Sequence, residues 1–205
     1  MKILCVGMNY AEHNKELEKT FLLPKEPVIF SKPDSAILKN GKPFFVPDFA
    51  QQFDYETELV VRIDRMGKSI PERFVHRYIG AVTVGIDFTA RDLQRELRSK
   101  GLPWDLSKGF DGSAVLGDWV SMDEIDELQN LTFHLDIDGQ TVQTGFTGDM
   151  LFSVAQLVSY VSRFHTLKTG DLLFTGTPAG VGSVHPNQHL DGWLGERKLL
   201  SFNVK

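Results

Sequence analysis

Apolar residues fall in many short runs, and most runs are closed by glycine, proline or charged turn residues. Residues 2–6 read as a buried strand ended by Gly7, and residues 27–33 as a strand running into a proline-bounded loop. Strand patterns recur at 44–46, 54–63, 79–88, 114–120, 131–137, 140–145, 172–174 and 197–204. Lys39-Asn40-Gly41-Lys42, Arg65-Met66-Gly67-Lys68 and Asp138-Gly139 supply turns between them. Helical spacing is rarer. Its clearest case is Asp149–Phe164, where Leu151, Val154, Leu157, Val158 and Val161 share one face and Asp149 stands at the N-cap. Shorter helices are expected over 9–17, over 70–78, and from Thr89, with Asp92 in a capping-box position, to Gly101. Residues 102–110 read as irregular, and residues 183–196 as a polar loop at a rim. Many strands and few helices predict an α+β fold that is mostly β, with a curled sheet rather than βαβ repeats. No repeat, linker or low-complexity run interrupts residues 1–205, which are expected to form one domain.

Composition narrows the function classes. With 41% hydrophobic residues and 24% charged residues in 205, the chain can bury a sizeable core. A net charge of −5 without a basic patch excludes nucleic acid as an expected partner. One cysteine, Cys5 in an apolar run, allows no internal disulfide and suits a reducing, cytoplasmic setting. The N-terminal apolar run is too short for a signal peptide or a membrane span.

The candidate chemistry starts with Glu56 and Glu58 on the strand Asp54–Ile63. On a strand, positions i and i+2 share a face, so these carboxylates stand side by side while Leu59 and Val61 face the core. A hard divalent cation, Mg²⁺, Mn²⁺ or Ca²⁺, would hold such a pair. The spacing by itself favours a solvated strand face over a metal pair. Asp87 ends an apolar strand, where a carboxylate is costly unless it is paired or metal-bound. His13 and Glu16 lie one helical turn apart and fit a general base oriented by a carboxylate, or an ordinary surface ion pair. Thr175–Gly182 is a Gly-rich loop able to turn backbone N–H groups toward an anion, without the Gly-Lys-Ser/Thr ending of a P-loop. His76, His134, His165, His185 and His189 lack partners at ligand spacing, and Trp119 and Trp193 read as core residues.

Taken in order, several motifs resemble the fumarylacetoacetate hydrolase family over nearly the whole chain. They are Gly7-Met8-Asn9-Tyr10-Ala11-Glu12-His13, Phe30-Ser31-Lys32-Pro33, Tyr55-Glu56-Thr57-Glu58-Leu59, Asp87 to Gln94, Lys100 to Trp104, Lys108, and Thr175 to Gly182. The resemblance implies a rolled mixed β-sheet in a single catalytic domain, without the extra N-terminal domain of fumarylacetoacetases, and a homodimer. It implies that Glu56, Glu58 and Asp87 bind one Mg²⁺ or Mn²⁺, and that Lys108 and Thr177 hold the carboxylate of a small 2-oxo acid, with Gln94 nearby. His13 and Glu16 match the His and Glu that acylpyruvase-like members carry on a lid-like helix. Met8 departs from the pattern, since many relatives have a basic residue there. The expected activity is hydrolysis of the C–C bond of 3-acylpyruvates through a pyruvate enolate, with decarboxylation of oxaloacetate as a companion reaction. Isomerisation or decarboxylation of 2-hydroxy-dienedioates is the competing enzymatic reading, and a metal-binding scaffold without turnover the non-enzymatic one.

Overall fold

The computed structural model describes residues 1–12, 23–38 and 41–205. Within them the chain lays down β1 (Ile3–Gly7), β2 (Val28–Lys32), β3 (Phe53–Tyr55), β4 (Thr57–Ile63), β5 (Ile79–Asp87) and β6 (Thr89–Ala90). Helices α1 (Arg91–Ser99) and α2 (Asp105–Lys108) come next, then β7 (Ala114–Leu116), β8 (Val120–Ser121), β9 (Thr132–Ile137) and β10 (Gln140–Phe146). After helix α3 (Val154–Phe164) come β11 (Leu172–Phe174), β12 (Gly182–Ser183), β13 (His189–Leu194) and β14 (Arg197–Asn203).

The strands make three sheets. The largest runs β2-β1-β11-β4-β5-β7, with β8 also on β5. It is mixed: β1 and β11 are parallel, and the other pairs are antiparallel. A four-stranded sheet runs β10-β9-β13-β14, and a small one β12-β3-β6. The result is the curled, mostly β architecture expected from the pattern.

Central strands are apolar on both faces because both faces are covered. Leu59, Val61, Val82 and Val84 pack beneath Val154, Leu157, Val158 and Val161 of α3. Val60 points the other way, toward Cys5, Leu172 and Phe174. A third cluster joins Phe53, Ile86 and Phe88 to Leu135, Leu190 and Phe202 of the four-stranded sheet.

Several local expectations are corrected. Helix α3 starts later than Asp149: Ser153 caps it, accepting from Gln156 N at 3.3 Å, while Gln156 Oε1 accepts from Ser153 N at 2.8 Å. Asp149 belongs instead to a 3₁₀ turn. Thr89 does not cap α1, because it lies in β6. Residues 70–78 form 3₁₀ rather than α-helix, over Glu72–Arg77. Residues 44–46 make only a bridge, Phe44 to Val204. The 102–110 segment contains α2, and the 183–196 segment contains β13, whose burial alternates so that its inner face enters the core. Trp119 and Trp193 are half-buried, in contact with Arg62 and His134 respectively.

Asp171 ties the start of β1 to β11. Its carboxylate accepts from Lys2 N and Lys168 N, both at 2.8 Å, and pairs with the Lys2 ammonium. Burial alone would raise its pKa, but the bonds from Lys2 and Lys168 outweigh that and hold it below the usual carboxylate range. A depressed folded pKa means that this contribution is complete above the unfolded value of about 3.9 and is lost as pH falls through the folded value. Asp171→Asn should therefore cost about 1–3 kcal/mol at pH 7. The difference from wild type in denaturant titrations should shrink at acid pH.

Candidate active site

The acidic residues sit where one antiparallel ribbon passes from the large sheet into the small one. In β4 and β5, Thr57 faces Ile86. In β3 and β6, Asp54 faces Thr89. Between these pairs Asp87 N donates to Glu56 O at 2.9 Å, so the register continues unbroken. Glu56 and Asp87 are thus opposite one another, and Glu58, opposite Gly85, is the diagonal neighbour. Gly85 is needed here: a Cβ would lie 2.7 Å from Val60 Cγ2 and 2.8 Å from Val115 O. One oxygen from each of Glu56, Glu58 and Asp87 lies within 4.8 Å of the others, and all three residues are buried. No other such group occurs among the described residues.

Burial removes the solvated-face reading of the pair. Glu56 is 6% exposed and Glu58 is 1% exposed. Charge is balanced from within instead. Lys108 Nζ lies 2.8 Å from Glu56 Oε2, 2.7 Å from Asp87 Oδ2 and 2.6 Å from Thr89 Oγ1. Lys32, fully buried, brings Nζ within 2.7 Å of Asp87 Oδ1, as an ion contact without hydrogen-bond alignment. The same ammonium donates to Ser113 Oγ at 3.0 Å and to Lys108 O. Arg91 donates to Asp54 Oδ2 at 2.8 Å, to Glu56 Oε1, and to Gln94 Oε1 at 2.6 Å.

The pKa directions follow from this crowding. Burial, then the charges of Asp87 and Glu56, push Glu58 well above the usual carboxylate range, although Gly176 N donates to its Oε2 at 2.6 Å. Burial alone would lower Lys108, but Asp87 and Glu56 outweigh it and keep the ammonium charged. Three hard-oxygen carboxylates that repel one another in a dry interior fit a divalent cation of the Mg²⁺ or Mn²⁺ kind, which removes that conflict.

Of the residues singled out from sequence, Glu56, Glu58, Asp87 and Lys108 converge. Gln94 is buried but holds Arg91. Thr177 lies in the loop after β11, where its hydroxyl donates to Thr57 O at 2.9 Å and accepts from Gln143 Nε2 at 2.8 Å. Trp104 packs edge-on against Phe30 at 6.0 Å, and Lys108 Nζ stands 5.2 Å from the Phe30 ring centre. His13 and Glu16 lie outside the described residues. Sequence reasoning assigned no place in the site to Arg91, Lys32, Asp54, Thr89 or Gln143. A lysine closing an apolar strand and an Arg three residues before Gln94 were usable signals; Gln143, in an ordinary hairpin strand, offered none.

A model of the fumarylacetoacetate (FAA) hydrolase C-terminal family matches residues 2–202. The chain belongs to the fumarylacetoacetate hydrolase family. Within this family, it is 38% identical over 203 residues to the mitochondrial oxaloacetate tautomerase FAHD1 of Mus musculus, covering 99% of this chain and 91% of that one. It is 39% identical over 188 residues to the mitochondrial oxaloacetate decarboxylase of Dictyostelium discoideum, covering 91% and 85%. Its fold superposes on fumarylpyruvate hydrolase from Pseudomonas aeruginosa, solved with Mn²⁺ and pyruvate, with a TM-score of 0.92, 35% identity, and coverage of 100% and 89%. These relatives are named as enzymes. No described helix is long and apolar enough to cross a membrane.

Arg91 is the cation paired with Asp54, and it shares Glu56 with Lys108. Arg91→Met should lower unfolding free energy by about 3–5 kcal/mol, the cost of stranding buried charge, as read by urea denaturation. A change under about 1 kcal/mol would mean that Lys108 at Glu56, and Ser183 and Gln52 at Asp54, suffice without the guanidinium.

Proposed function

We propose that this chain is a metal-dependent enzyme acting on small 2-oxo acids, and that it hydrolyses the C–C bond of 3-acylpyruvates. The observation that carries the reading is the buried triad of Glu56, Glu58 and Asp87 with the Lys108 ammonium set among its oxygens. Those carboxylates would hold Mg²⁺ or Mn²⁺, with Ca²⁺ a third candidate. Bound there, the cation supplies Lewis-acid charge for a carboxylate and an adjacent keto oxygen. Lys108 adds a fixed positive charge for the substrate carboxylate, and Phe30 and Trp104 form an apolar wall beside it. The Thr177 hydroxyl already donates its hydrogen bond to Thr57 O, so it meets a ligand through an oxygen lone pair or its main chain. His13, oriented by Glu16, takes a proton from the water that attacks the C4 carbonyl. The departing pyruvate enolate then collects a proton.

A second reading is favoured by the tautomerase and decarboxylase names of relatives 38% and 39% identical. Oxaloacetate would reach the same enolate by losing CO₂, or exchange keto and enol forms by a proton shift, and neither route needs an attacking water. One catalytic domain, a homodimer and a cytoplasmic setting belong to the same proposal. Exposed Phe45, Leu102 and Leu106 offer apolar surface for association.

Two measurements decide. Calorimetric titration with Mn²⁺ should show saturable binding to wild type and at least tenfold weaker binding to Asp87→Asn. Equal binding by both proteins sinks the triad as the metal site. His13→Ala should lose about 10²–10⁴-fold in acetylpyruvate hydrolysis while binding Mn²⁺ normally. Near-normal hydrolysis removes His13 as the base, and high turnover confined to oxaloacetate selects the second reading.

A further inference from the structure

We infer that Gln143 is a positioning residue for this site, setting the acidic strand and the Gly176–Pro178 loop at a fixed separation. The inference rests on the function proposed above and extends it to a residue in a different sheet. Gln143 stands on β10 of the four-stranded sheet, just past a register shift between Thr141 and Gln143, and is 2% exposed. Its side chain reaches three backbone or hydroxyl groups distant in sequence. Oε1 accepts from Thr57 N at 3.0 Å, and Nε2 donates to Thr177 Oγ1 at 2.8 Å and to Pro178 O at 2.9 Å. The partners fix the orientation of the amide, since Thr57 N–H can only donate and Pro178 O can only accept.

These bonds close a ring. Thr57 N–H donates to Gln143, Gln143 donates to Thr177, and Thr177 donates back to Thr57 O at 2.9 Å. Thr57 lies between Glu56 and Glu58, and the residue before Thr177, Gly176, donates to Glu58 Oε2. A shift of the amide therefore reaches the triad from both sides. The loop is shaped to the Gln143 stem: at Gly180, with φ of +97°, a Cβ would sit 3.1 Å from Val142 O and 3.4 Å from Gln143 Cγ. No other side chain could make all these contacts at this reach. Asn is one methylene short, and Met has no amide.

The test compares wild type, Gln143→Met, Gln143→Asn and, as control, Asp87→Asn. Each is measured by far-UV circular dichroism, thermal melting, Mn²⁺ calorimetry and kinetics on acetylpyruvate and oxaloacetate well below the melting point. Expected for the Gln143 variants is a native spectrum with a roughly 10- to 100-fold loss in Mn²⁺ affinity or kcat, and a smaller change in KM. A lower melting point with unchanged Mn²⁺ affinity and kcat overturns the inference, because the amide then serves stability alone. If Gln143→Met does not fold, Gln143→Asn decides; if neither folds, the inference is also overturned. Equal Mn²⁺ binding by wild type and Asp87→Asn signals instead that the proposed metal site is wrong.

Discussion

The structure depends on how it keeps a cluster of like charge inside a dry core. Asp54, Glu56, Glu58 and Asp87 are all buried, and Lys32, Arg91 and Lys108 are buried with them. Taking each ion out of water costs several kcal/mol, and only close opposite charges and hydrogen bonds offset that. Two unit charges about 4 Å apart interact by about 4 kcal/mol at an effective dielectric of about 20, so small displacements matter. The cations are accordingly held by several bonds each. Such a network adds little net stability over an apolar core; its value lies in fixing charge where a ligand can use it.

The backbone supplies the rigidity. The ribbon of β3–β4 and β5–β6 keeps one register while it leaves one sheet and joins another. At that passage Glu56 and Asp87 are buried against Lys108, and Arg91 and Lys32 pair with them from either side. The loop after β11 makes the same passage to reach β12 beside β3. Three segments from distant parts of the chain therefore meet at one place. The four-stranded sheet contributes through Gln143, which links two of them.

On the function proposed above, one charge centre would serve more than one of the reactions for which relatives are named, because each passes through the enolate of a 2-oxo acid. Which bond breaks is then decided by the proton-handling groups around that charge. In this chain the proposed candidates for that task, His13 and Glu16, lie outside the described residues.

The sequence by itself determined the fold class, most strands, the Asp138-Gly139 hairpin and the alternation that sets Glu58 opposite Leu59 and Val61, because these follow from local periodicity and turn chemistry. Family motifs pointed to Glu56, Glu58, Asp87 and Lys108 as one group, and the tertiary structure brings them together. Other features required the folded chain. Spacing alone left Glu56 and Glu58 on a solvated face, and only the packing of three sheets buries them. The cap of α3 moved from Asp149 to Ser153 because Leu151 N is drawn to Asn9 O across the fold. The local signals at Lys32 and Arg91 do not name their partners, and Gln143 has no local pattern that reveals its role. Their partners lie 76, 35 and 86 residues away, and hydrogen bonds over such separations are fixed by topology, not by neighbouring residues.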